Sequence, residues 1–89
     1  MSIIFTDENK FRLEYPGVWD TAEAFLVGYG IDSMMYKFQS AECFPYAGKY
    51  TLAVVDIDTE SLVFEFKMKR RATQLIVENF SMLFDPQED

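Results

Sequence analysis

The sequence predicts an α+β fold: an antiparallel sheet of about five strands in the order β-β-α-β-β-β-α, with a C-terminal helix packed on one face. Three observations point there. Short runs rich in Val, Ile, Phe and Tyr are separated by clusters of Gly, Pro, Asn and Asp, the usual punctuation of strands. The segment AEAFLV is helix-prone and stops at Gly28. Beyond Met68 the apolar spacing lengthens from two residues to three and four, the period of a helix.

Taken in order, residues 3–6 and 11–15 are β-prone runs around the polar group Asp7, Glu8, Asn9 and Lys10, which reads as a first hairpin. Pro16 and Gly17 stop its second strand. Asp20 with Glu23 three residues on has the form of a capping box, so the first helix starts there and ends at Gly28 and Gly30. Residues 31–39 fit both periods. Ile31, Met34, Met35 and Phe38 are helically spaced, whereas the Tyr and Phe content and the preceding glycines favour a strand.

The stretch VVDIDTESLVFE reads as a hairpin with Thr59 and Glu60 at the centre of a tight turn. That register pairs Ile57 with Leu62, Val55 with Phe64 and Ala53 with Phe66 on an apolar face. Asp56, Val54 and Leu52 then lie beside Val63, Glu65 and Lys67 on a mixed, half-solvated face. Asp58 occupies the first position of the turn, where aspartate is favoured. Ala72, Leu75, Ile76, Phe80 and Leu83 mark the apolar face of the last helix, ended by Asp85 and Pro86. Residues 1–85 make a single compact domain and residues 86–89 a short acidic tail.

Charge bounds the partners. Fifteen carboxylates against eight basic residues give a net charge of −7, which argues against direct nucleic acid or membrane binding and for a basic or nucleic-acid-binding protein partner. The positive charge gathers in KMKRR at 67–71, expected to pair with neighbouring carboxylates. No apolar run is long enough for a membrane span and no leader pattern is visible, so the expected location is cytoplasmic.

Chemistry is scarce. Without histidine and with Cys43 alone, the usual general base and thiolate or imidazole metal frameworks are missing, and no cofactor is implied. The run VVDIDTES resembles the first motif of haloacid dehalogenase-type phosphatases, an apolar strand followed by Asp56-x-Asp58, which would make these residues nucleophile and acid. It departs from that pattern at Glu60, where the family has Thr or Val, and 89 residues leave no room for the family's α/β domain. A calcium loop fails at Ser61 and Lys67, which stand where Gly and Glu are needed.

The expectation is therefore a small acidic non-catalytic binding protein that inhibits or regulates a larger basic-surfaced protein. One form of it is a nucleic-acid mimic of the phage anti-restriction or anti-CRISPR kind. Asp56, Asp58, Glu60 and Glu65 are the electrostatic candidates, with Glu65 on the same face as Asp56. Phe44, Tyr46 and Tyr50 are the aromatic candidates, in the loop ECFPYAGKY. The alternative is an assembly subunit that homodimerises through exposed aromatics.

Overall fold

A computed structural model describes residues 1–84. Five strands form one antiparallel sheet whose spatial order follows the chain: β1 (Ile3–Phe5), β2 (Tyr36–Phe44), β3 (Lys49–Asp56), β4 (Leu62–Arg71) and β5 (Gln74–Phe84). Two helices, α1 (Glu8–Glu14) and α2 (Pro16–Gly28), are inserted between β1 and β2 and cover one face. The α+β class and the five antiparallel strands stand. The element order and the C-terminal helix do not, because both helices come early.

The expected first hairpin is a strand followed by a helix. Asp7 caps α1, its Oδ1 accepting from the backbone N–H groups of Asn9 and Lys10. The Arg12–Glu8 ion pair, 2.9 Å, spans one turn. Phe11 and Tyr15, four apart, then meet on the inner side, with ring centroids 6.3 Å apart. Pro16 starts α2 instead of closing a strand, since its fixed φ and missing N–H suit a first helical position. Asp20 consequently lies inside α2 and caps nothing. Of residues 31–39, Ser33–Met35 form a 3₁₀ turn capped by Asp32, and β2 begins at Tyr36.

The last element is a strand. Arg71 pairs with Gln74 across a two-residue loop, and β5 runs antiparallel to β4. A bulge explains the helical spacing: Lys67 pairs with Asn79 but Met68 with Val77, so Glu78 is an extra residue. Leu75 and Val77 before it, and Phe80 and Met82 after it, face the helices in a pattern whose period of two is broken once. The end of the expected helix at Asp85 and Pro86, and the tail 86–89, lie outside the described residues. The basic run 67–71 lies wholly within β4, so Lys69, Arg70 and Arg71 belong to a strand although the apolar spacing beyond Met68 predicts a helix.

The β3–β4 register is one residue off the expected one. Val54 pairs with Phe64 and Val55 with Val63. The connection is a five-residue loop, because Asp56 Oδ1 accepts from the N–H groups of Asp58 and Thr59, and Glu60 N–H donates to the Asp56 carbonyl at 2.8 Å. Tyr50, Leu52 and Val54 therefore face the helices beside Phe64, Phe66 and Met68. Val18, Trp19, Ala22 and Leu26 of α2 and Phe11 of α1 complete this core. Each fully buried large side chain contributes about 1.5–3 kcal/mol. Phe66 also packs against Phe25 and Phe80, with centroids at 5.9 and 4.9 Å.

Candidate functional site

The four acidic candidates do not form one patch. Asp56, Asp58 and Glu60 share the β3–β4 loop, but two of them are already engaged. Asp56 holds the turn, and Glu60 accepts a hydrogen bond from Lys37 Nζ at 2.8 Å, which with the lysine's charge lowers its pKa. Asp58 alone presents a carboxylate without a described partner. Glu65 pairs with Ala53 and Ser81 in mid-sheet. The register shift puts it on the face opposite Asp56, which aligns with Tyr36 of the core.

The aromatic candidates are likewise split. Tyr46 is 93% exposed on the 3₁₀ turn Pro45–Ala47. Phe44 sits on the uncovered face of the sheet, across from Lys49. Tyr50 is 4% exposed and belongs to the core, with Arg70 Cζ 5.7 Å above its ring and Arg70 Nε 3.3 Å from its hydroxyl. A sheet alternates its faces residue by residue, so Tyr50 cannot join Phe44 and Tyr46 in one anchor.

What the structure assembles instead is the uncovered face. Register places Lys37, Lys49, Lys67, Lys69 and Arg71 there, five of the eight basic residues. The face grades along the strands. Val55, Val63 and Leu83 form an apolar row near the β3–β4 loop, whereas Lys49, Lys69 and Ile76 form a row at the other end. Among the described residues only Arg12 and Lys37 make ion pairs, so the expected pairing of the 67–71 run with carboxylates is not found. Among the described residues, shallow clefts open on this face. One, of about 430 Å³, has Glu42, Phe44, Lys49, Glu65 and Lys67 among its lining residues; another, of about 180 Å³, lies between Lys69, Arg71, Ile76 and Glu78.

The opposite side of the molecule is acidic. Residues 6–33, which hold both helices, carry six carboxylates against two bases, whereas residues 34–84 carry six of each. Glu14 and Asp20 are exposed and have no described ion-pair partner. The sequence read four of these six, Asp7, Glu8, Asp20 and Glu23, only as turn and capping residues and none as a binding surface, yet a count by segment contained the signal.

Among the described residues two buried polar atoms lack hydrogen-bond partners, the Trp19 Nε1 and the Tyr36 hydroxyl. The two rings are neighbours, 6.3 Å apart, and burial followed by the nearby Glu23 and Asp32 charges raises the Tyr36 pKa. Cys43 is buried on the inner face of β2, where burial, and secondarily Glu42, pushes its thiol up to about 11. Among the described residues no group of three or more His, Cys, Asp or Glu side chains is placed to hold a metal ion. No helix there is long and apolar enough to cross a membrane. Comparison with protein-family models, curated proteins and solved structures returns no match.

Proposed function

We propose that this chain is a small, acidic, non-catalytic binding protein of the cytoplasm that inhibits or regulates a larger protein with a basic surface. The observation that carries the reading is segregation of charge: the helical layer holds an excess of carboxylates while most of the basic residues lie on the uncovered sheet face. Such a layout presents one acidic side to a basic partner and speeds encounter with it. The acidic surface moves accordingly from the β3–β4 loop to α1 and α2. Imitation of nucleic acid phosphates is the narrower form. It rests on the helical carboxylates, because Asp56 and Glu60 are bound within their own molecule.

The test is affinity capture with the wild type and with a variant combining Glu14→Gln, Asp20→Asn and Glu23→Gln, each at low and high salt. A partner of this surface is recovered by the wild type at low salt, lost at high salt, and lost in the variant. Displacement of that partner by duplex DNA is the outcome expected of phosphate imitation. Equal recovery by both proteins at every salt concentration rules the helical surface out.

A further inference from the structure

We propose that the protein pairs with a second copy of itself by antiparallel addition of β5 to β5, about a two-fold axis passing through Met82. The inference rests on how unevenly the edges of the sheet are protected. A strand edge carries a row of unpaired N–H and C=O groups, and native edges are blunted by brevity, bulges, proline or charge, lysine above all. The β1 edge obeys this, being three residues long. The part of β2 that extends beyond β1 obeys it too, with Lys37 tied to Glu60 and a bulge between Phe38 and Ser40.

The β5 edge does not. It is eleven residues long and has no strand beside it on its outer side among the described residues. Its bulge at Glu78 protects only the half near the β4–β5 loop. Residues 79–84, NFSMLF, contain no charge, no proline and no bulge. Their apolar side chains are open: Met82 is 52%, Leu83 47% and Phe84 75% exposed.

A second copy fits this edge better than an unrelated strand because the segment is complementary to itself. About Met82, antiparallel pairing sets Phe80 against Phe84 and Ser81 against Leu83, with Met82 against its own equivalent. Phe80, Met82 and Phe84 share the face that bears the helices and Ser81 and Leu83 the other, so every pair keeps both partners on one side. No like charges meet within these pairs. All three exposed apolar residues are covered at once, and the two sheets become one. The contact is short beside a standard interface of roughly 800 Å² per partner, so the dimer dissociates on dilution.

This association is independent of the electrostatic reading and responds to salt in the opposite sense. Two copies of charge −7 repel, and salt screens that repulsion. Sedimentation velocity across a range of protein concentrations, at low and high salt, tests it. The expected result is a monomer–dimer equilibrium that strengthens with salt, is abolished by Met82→Lys and is unaffected by Leu13→Lys on α1. Met82→Cys treated with a mild oxidant should form a covalent dimer, since paired strand positions lie within disulfide reach, while buried Cys43 stays reduced. Three results would overturn the proposal. They are a monomer at every concentration, a dimer that survives Met82→Lys but is lost on Tyr46→Lys, and absence of cross-linking in a dimeric Met82→Cys protein.

Discussion

At Cys43 and Tyr36, burial is the chief influence on chemical behaviour, with neighbouring carboxylates acting in the same direction. The folded Cys43 thiol titrates at about 11 against an ordinary 9.0, so above pH 9 the unfolded chain loses its proton first. Stability is then level below about pH 9 and falls between 9 and 11, by on the order of 2 kcal/mol. Tyr15 and Tyr36, both raised chiefly by burial, extend the fall above pH 10. Urea denaturation at a series of pH values should show this decline in the wild type, with the segment starting at pH 9 missing in Cys43→Ala. Tyr36→Phe removes a buried hydroxyl that has no described partner. It should leave stability unchanged or raise it by up to about 1 kcal/mol. A loss larger than that would mean that a bound water bridges the hydroxyl and Trp19 Nε1.

Among the elements, the β4–β5 hairpin turns on an unsuited residue. Ala72, first of its two loop residues, has φ 53°, a left-handed conformation that costs a residue with a Cβ about 1–2 kcal/mol. Ala72→Gly should therefore raise the urea midpoint, and by favouring the turn it should not alter the slope. Phe64→Ala removes a core side chain that packs against Phe80 and should cost about 3–5 kcal/mol. These two hairpins also show what the sequence could convey. Apolar residues on both sides of β3, Leu52 and Val54 against Ala53 and Val55, make either register plausible by pattern, and the choice is made by the Asp56 side chain folding onto its own loop. In β5 the bulge at Glu78 imitates a helical period. In α1 the signal was present, as an Asp7 cap with Glu8 and Arg12 four apart, but Phe11, Leu13 and Tyr15 alternate like a strand. Strand content and a helix ending at Gly28 were legible because local composition decides them. Faces and partners were not, since they depend on one extra residue in a loop or bulge. For the same reason Glu65 parted from Asp56, whereas Tyr50 parted from Phe44 and Tyr46 because it lies within β3 with its side chain in the core.

Across the whole molecule, the charges divide into those with a structural task and those without. Asp7 and Asp32 cap, Asp56 holds a turn, and Glu8 and Glu60 pair with bases. Glu14 does none of these. It is exposed in the last turn of α1, where the helix dipole disfavours a negative charge, and it adds to the carboxylate excess of residues 6–33. A charge that lowers stability and has no described hydrogen-bond or ion-pair partner is the kind that binding retains, because surfaces built for a partner give up some stability of the free protein. Glu14→Gln should thus raise stability by about 0.3–1 kcal/mol at low ionic strength, and by less as salt screens the dipole. The same substitution should slow association with a basic partner at low salt. Thermal melts of wild type and Glu14→Gln at two salt concentrations, set beside association rates for a captured partner, check both halves. A variant that gains stability and binds at an unchanged rate would remove Glu14 from the partner surface. One that loses stability would show that its carboxylate has a structural role after all.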